Sequence, residues 1–247
     1  MGKGELEQTL VLIKPDAMKN SLTGYVLAQL SEFHTGLCFA GLKVVQVTRM
    51  LAEEHYVEHR GKGFYSALLD YIMGFLHYPD EPHRRRVVAI VYQGVDAVQK
   101  VRAIAGPTNP HVARDEKPGC IRALGTLVPI LDENGKEIDQ RMDNLIHASA
   151  TLEEAEREIK LWFRPNDIPP EMRAYETQGS EEHFYYKGET VVDAYAPGAV
   201  CILAPGDVAW ASDLRALQTL RQGLPAPYSL RSIVAKYLLN RRVSFDW

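Results

Sequence analysis

The chain predicts an α+β fold: a ferredoxin-like, split βαβ plan with a four-stranded antiparallel sheet covered by helices, followed by a mainly helical C-terminal extension. Three observations carry this. Short apolar runs of strand character alternate with amphipathic helical stripes in the order β-α-β-(αα)-β-α-β-α. Each stripe has one apolar face, which asks for a sheet to cover, and one face of the sheet is enough for them. The 247 residues, 46% of them hydrophobic, suffice for one core plus a smaller appendage.

Thr9-Leu-Val-Leu-Ile13 is a continuous apolar run ending at Lys14-Pro15, as in a buried strand with a functional residue at its tip. Residues 23–35 carry Val26, Leu27, Leu30 and Phe33 at helical spacing, with Gly36 as the stop. Leu42 to Thr48 reads as the second strand, residues 53–59 as a short helix, and Phe64, Leu68, Tyr71, Ile72 and Phe75 as a longer one. Residues 76–86 break the pattern and predict a loop. Val87 to Tyr92 is the third strand, and Val95, Val98, Val101 and Ile104 form a helix closed by Gly106-Pro107. Prolines and glycines make residues 106–120 an irregular loop. The fourth strand falls within Ile121 to Ile130, and Asn134-Gly135 marks a hairpin. Thr151-Leu-Glu-Glu154 is a capping box for a helix with Leu152, Ala155, Ile159 and Trp162 on one face.

A joint with Pro165, Pro169 and Pro170 follows. Beyond it, Ser212 is placed to cap a helix bearing Leu214, Leu217 and Leu220. Ser229 caps another, with Ile233, Val234, Tyr237 and Leu238 on one face and Arg241 and Arg242 at its C-terminal end. The division expected is a domain over 1–187 and an extension over 188–247, docked on the core or on a neighbouring subunit.

A net charge of -4 leaves no electrostatic footprint for nucleic acid. Cys38, Cys120 and Cys201 are far apart and in no CxxC pair, which predicts buried free thiols in a reducing compartment. Met1 to Gln8 has no apolar signal core, and no apolar run approaches the roughly 20 residues of a membrane span. A soluble cytoplasmic protein, with neither nucleic acid nor membrane as partner, is expected.

His147, in Asn144-Leu-Ile-His147, gains chemical meaning from Glu158 in the helix that follows. A carboxylate accepting from one imidazole nitrogen frees the other to attack; the alternative for Glu158 is a solvated helix charge. Phosphoryl transfer needs cations placed around the moving group more than covalent help. Lys14 at a strand tip, Arg102 at a helix end and Arg122 after Lys117-Pro-Gly are such cations, all beside Gly/Pro loops. The absence of GxxxxGK[ST] and of HRD or DFG argues against a Walker NTPase and a protein kinase. His55 and His59 are spaced i,i+4 but lack a third ligand, which makes them a solvated helix face rather than a metal site.

From about Glu7 to about residue 187 the sequence resembles the nucleoside diphosphate kinases. The resemblance rests on Thr9-Leu-Val-Leu-Ile-Lys-Pro-Asp16, Glu54-His-Tyr-Val57, Gly106-x-Thr-Asn-Pro110, Lys117-Pro-Gly-x-Ile-Arg122, Asn144-x-x-His147 and Leu161-Trp-Phe163. It implies that His147 carries the phosphoryl group and Glu158 orients it. It implies that Lys14, Tyr56, Arg102, Thr108, Arg122 and Asn144 hold the phosphates and sugar of ATP and other nucleoside di- and triphosphates, and that Phe64 and Leu68 form the wall on which the base stacks. It further implies Mg²⁺ carried mainly by the nucleotide phosphates and no protein metal site, ping-pong transfer with broad base tolerance, and a homo-oligomer.

The sequence departs from the family pattern at Ala150, where Asp is usual, at Cys120 for Thr, and at Arg141, where an apolar residue covers the base. Arg141 is therefore expected over the nucleobase, opposite Phe64. Residues 76–86, 111–115 and 131–141 look inserted. The alternative reading is a nucleotide-binding scaffold of the same fold with weak or no turnover.

Overall fold

The computed structural model describes residues 6–240. The chain runs β1 (Leu6–Ile13), α1 (Pro15–Lys19), α2 (Thr23–Gln29), α3 (Glu32–Thr35), β2 (Cys38–Val45), α4 (Arg49–His55), α5 (Tyr65–Ile72), β3 (Val87–Val95), α6 (Ala97–Ala105), α7 (Pro110–Glu116), β4 (Thr126–Leu131), β5 (Glu137–Asp143), β6 (Ile146–Ala148) and α8 (Leu152–Trp162). Short strands β7 (Thr177–Gly179), β8 (Phe184–Lys187), β9 (Thr190–Val192), β10 (Val200–Leu203) and β11 (Val208–Trp210) follow, then α9 (Ala211–Arg221) and α10 (Leu230–Val234).

The main sheet is antiparallel in the order β2-β3-β1-β6. Its central strand β1 is apolar without alternation because both of its faces are covered. Leu10 and Leu12 join the core beneath α4, α5 and α8, while Val11 and Ile13 join a second core with Val26, Val101 and Ala105. Helices thus cover both faces of the sheet, not the single face expected.

Several local expectations are corrected. The fourth strand of the sheet is Ile146–Ala148, not a segment within 121–130; that segment gives a 3₁₀ turn and β4, which pairs only with β5. The hairpin signal at Asn134-Gly135 holds: Gly135 takes φ 78° in the β4–β5 turn. Residues 106–120 are not all irregular, because Asn109 caps α7 through its side chain and Pro110 occupies the first turn. Helix 23–35 divides at Leu30-Ser31 into α2 and α3. β2 begins at Cys38, earlier than expected. Trp210, not Ser212, stands at the N-cap of α9, whereas Ser229 caps α10 as expected, its Oγ accepting from Ser232 N. Arg241 and Arg242 lie outside the described residues. Of the cysteines only Cys120 is buried; Cys38 and Cys201 are exposed.

Beyond α8 the strands pair across residue 187. β8 lies between β9 and β10, and β7 pairs with β11. Phe184, Leu203, Leu214, Leu217 and Val234 form a core of their own. Trp210 is inserted into the main core, where its Nε1 donates to Phe163 O at 2.8 Å. α10 rests on α4: Ser229 Oγ donates to Glu54 Oε2 and Arg231 Nη2 to Glu53 Oε2, at 3.0 and 2.6 Å.

Candidate active site

The register of β1 and β6 sets Leu12 opposite His147, so the strand that runs into Lys14 and the strand that carries the histidine bring both to one end of the sheet. Just before His147 the backbone turns sharply. Leu145 takes φ 69° and Ile146 N donates to Asn144 O at 2.8 Å. A left-handed Leu is strained, and it is held from three sides. Leu145 N donates to Asp16 Oδ2, its carbonyl accepts from Lys14 N, and its side chain is buried.

α8 passes beside β6 and delivers Glu158. His147 Nε2 lies 2.8 Å from Glu158 Oε2, and Ser149 Oγ donates to the same oxygen at 2.7 Å. Burial would push the Glu158 carboxyl up. The neighbouring imidazoles of His147 and His55 and the hydrogen bonds from His147 and Ser149 prevail and hold it at about 2. An ionised acceptor on Nε2 puts the ring proton there and leaves Nδ1 with its lone pair. The His147 side chain is 20% exposed and Glu158 only 3%, so the imidazole is reachable and its carboxylate is not.

His55 is the residue that sequence reasoning misplaced. It is buried, not on a solvated face, with its ring edge-on to His147 at 4.5 Å between centroids and its Nδ1 accepting from Trp162 Nε1. Burial drives its pKa down to about 3, so it packs against His147 as a neutral ring. His55, His147 and Glu158 each bring a ligand atom within 4.8 Å of the others. His147 Nε2 bonds to Glu158 and His55 Nδ1 to Trp162, while His55 Nε2 is buried with no partner among the described residues.

His147 opens on a cleft of about 550 Å³ whose walls also hold Lys14, Tyr56, Phe64, Leu68, Arg102, Thr108, Arg122, Arg141 and Asn144. The site residues read from the sequence thus converge, with Glu158 behind the histidine. Lys14 Nζ donates to Asn144 Oδ1 and lies over the Tyr71 ring, and Asn144 Nδ2 donates to Thr108 O at 2.8 Å. Arg122 donates to Gly106 O and Ile146 O, and Arg102 to Ala148 O. Among the described residues none of these three cations has a carboxylate partner. Burial brings the Lys14 ammonium down to about 8, and burial followed by Arg102 brings Arg122 down to about 10. Arg122 Nε is buried without a partner. A cluster of cations without carboxylate partners, Lys14 and Arg122 among them desolvated, is what an anion of high charge requires.

Arg141 differs from them. Its Nε and Nη2 donate to Asp143 Oδ1 and Oδ2 at 2.7 and 3.1 Å, and His77 Nε2 lies 2.8 Å from Asp143 Oδ2. Asp143 and His77 were not found from the sequence. Asp143 had a signal, since a carboxylate two residues from Arg141 on a strand shares its face. His77 had none. Ala150, the position lacking the usual Asp, has its N–H satisfied by Glu154 Oε2 at 2.9 Å, and Glu154 borders the cleft. The capping box is therefore half formed: Thr151 Oγ1 accepts from Glu154 N, but the Glu154 carboxylate goes to Ala150.

A nucleophilic imidazole opening among unneutralised cations defines a phosphotransferase that works through its histidine. Residues 7–168 match the family model described as nucleoside diphosphate kinase. The nucleoside diphosphate kinase of Pyrococcus furiosus is 40% identical over 164 residues, 66% of this chain and 87% of that protein. That of Pyrococcus horikoshii is 38% identical over 184 residues, 74% and 98% of the two. Among solved structures, the Aquifex aeolicus nucleoside diphosphate kinase aligns with a TM-score of 0.53 at 32% identity, covering 67% of this chain and all of that one. A transition-state mimic of the Borrelia burgdorferi enzyme with vanadate and ADP aligns with a TM-score of 0.52 at 30% identity, covering 68% and 94%. The chain belongs to the nucleoside diphosphate kinase family.

Proposed function

We propose that the protein is a nucleoside diphosphate kinase that moves the γ-phosphate of a nucleoside triphosphate to a nucleoside diphosphate through phospho-His147. The observation that carries this is the free Nδ1 of His147 beside Lys14, Arg102 and Arg122, none of them neutralised by a carboxylate. In the first half-reaction Nδ1 attacks the γ-phosphorus. The P–N bond forms as the P–O bond to the β-phosphate breaks, and the diphosphate leaves with that oxygen. The Nε2 proton stays on the ring, and Glu158 balances the charge the ring acquires. The β-phosphate oxygen of a second diphosphate then takes the phosphoryl group and restores the neutral imidazole.

Lys14, Arg102 and Arg122 meet the phosphate oxygens. Tyr56, Thr108 and Asn144 position the sugar and phosphates, and Phe64 and Leu68 carry the base. The nucleotide phosphates would carry Mg²⁺, which would offset their charge. The cleft fits an ion carried in this way, because Glu158, Asp143 and Glu154 already accept hydrogen bonds from His147, Arg141 and Ala150. The kinase unit ends near the family match, and the later strands and helices form an appendage that buttresses α4, the helix that ends in His55. Self-association is part of the proposal. Its support is edge strand β2, where Leu42 and Val44 are exposed.

Ala150 does not favour a scaffold without turnover, since its backbone N–H is satisfied. The decisive experiment incubates the protein with γ-labelled ATP and Mg²⁺. An acid-labile, base-stable phosphoprotein that a second diphosphate discharges is expected, and His147→Ala should lose it. No phosphoprotein from any triphosphate would overturn the assignment.

A further inference from the structure

We propose that Arg141, held by Asp143 and His77, selects nucleotides whose base presents a keto edge (guanine, uracil, thymine) over those presenting an exocyclic amino group. This rests on the nucleotide reading of the cleft. Arg141 and Asp143 project from the same face of β5, and Asp143 grips the guanidinium at two points. Asp143 is in turn held by His77, and both are more than nine-tenths buried. His77 is itself fixed: its ring lies against Tyr71 at 5.2 Å, and its carbonyl accepts from Lys19 Nζ at 2.9 Å. A guanidinium gripped in this way has one orientation.

The grip uses the Nε hydrogen and one of those on Nη2. Three hydrogens, on Nη1 and Nη2, remain without a partner among the described residues, and the group has no acceptor at all. Its charge is matched by Asp143, unlike that of Lys14, Arg102 and Arg122, so it stands apart from the cations that meet the phosphates. It shares the wall of the cleft with Phe64 and Leu68, the residues proposed to carry the base. Phe64, Leu68, Ile130 and Met142 give the cleft its apolar lining.

A rigid, donor-only group beside an apolar platform discriminates between base edges. The O6 of guanine, or the O4 of uracil and thymine, accepts from it. At the same position the N6 amino group of adenine and the N4 amino group of cytosine set a donor against a donor, which adenine offsets only through N7.

The test uses the second half-reaction alone. The enzyme is first converted to its phosphorylated form, which is then discharged with GDP, UDP, ADP or CDP in turn, and kcat/KM is measured for each. GDP and UDP should exceed ADP and CDP by roughly tenfold. Arg141→Leu, and the charge-matched Arg141→Leu/Asp143→Asn, which leaves no orphaned carboxylate, should bring the four values together whatever their absolute size. His77→Phe should narrow the ratio, and His77→Gln, which keeps a donor to Asp143, should restore it. A purely structural His77 would change stability and leave the ratio alone. Failure to form phosphoenzyme would sink the kinase reading itself. Phosphoenzyme discharged equally by all four diphosphates, or a variant weakened equally toward all four, would overturn base selection by Arg141.

Discussion

The Glu158 carboxylate lies 2.8 Å from His147 Nε2 and also accepts from Ser149, so one buried anion fixes which nitrogen of the histidine reacts. Glu158→Gln keeps an acceptor but loses the charge that balances the phosphorylated ring. A fall in kcat on the order of 10²-fold, with KM little changed, is expected. Rapid-quench measurement of phosphohistidine formation checks it, and an unchanged rate would remove Glu158 from the chemistry.

The pH dependence on the alkaline side belongs to Lys14. Burial lowers its pKa from 10.5 to about 8, so the ammonium proposed to meet phosphate is lost as pH rises through about 8, where an exposed lysine would remain charged. kcat/KM should fall along that limb, and in Lys14→Gln the limb should vanish into a low, flat profile. Stability runs the other way. Between about 8 and 10.5 the unfolded chain binds the proton more tightly than the folded one, so this group adds stability as pH rises through that window. A kcat/KM profile with no inflection between pH 7 and 9 would contradict the assignment.

Gly106 takes φ 81°, and a Cβ there would meet Cys120 Sγ at 2.2 Å and Cys120 Cβ at 2.9 Å. Its carbonyl also accepts from Arg122. Gly106→Ala should therefore destabilise the fold by about 1–3 kcal/mol and raise KM for nucleotides by moving Arg122, a cation proposed to meet phosphate. Adding Cys120→Ala removes the worst overlap and should recover part of the stability, because the backbone strain remains. Thermal melts together with KM for the single and double variants decide it; a Gly106→Ala protein with native values of both would refute the close packing.

The placement of the residues around His147 was legible because the segments that carry them are short and local. A strand tip gives Lys14, a turn before β6 gives Asn144 and His147, and one helix face gives Glu158. What was illegible depends on chain segments far apart in sequence. His55 meets His147 only because α4 packs on α8, and His77 meets Asp143 across the segment before β3. The fourth strand was misplaced for a related reason. Thr126–Leu131 has the stronger strand pattern, yet its partner is the local hairpin strand β5, while the three-residue β6 completes the sheet because β1 offers it an open edge. The helix at Pro110–Glu116 was hidden by prolines and glycines that read as a loop, although Asn109-Pro110 is a cap followed by a favoured first-turn residue.

The last prediction concerns the appendage. Lys236 Nζ donates to Asp213 Oδ2 at 2.7 Å and to Ile233 O at 3.1 Å, with the two side chains 0% and 7% exposed. Burial lowers the Lys236 pKa, and Asp213 opposes that, so the ammonium depends on its partner. Removing either alone leaves a buried, uncompensated charge. Lys236→Met and Asp213→Leu should each destabilise by about 3–5 kcal/mol, whereas the double variant should recover most of the loss, because two charges that were desolvated together disappear together. Denaturant titration of the four proteins gives the coupling directly. Neither residue lies in the cleft, so the phosphoenzyme should still form wherever the protein is folded. Strictly additive losses would show that the pair is not a coupled unit, and the C-terminal helices would then be held by Trp210, Val234 and their apolar neighbours together with the bonds of Ser229 and Arg231 to Glu54 and Glu53.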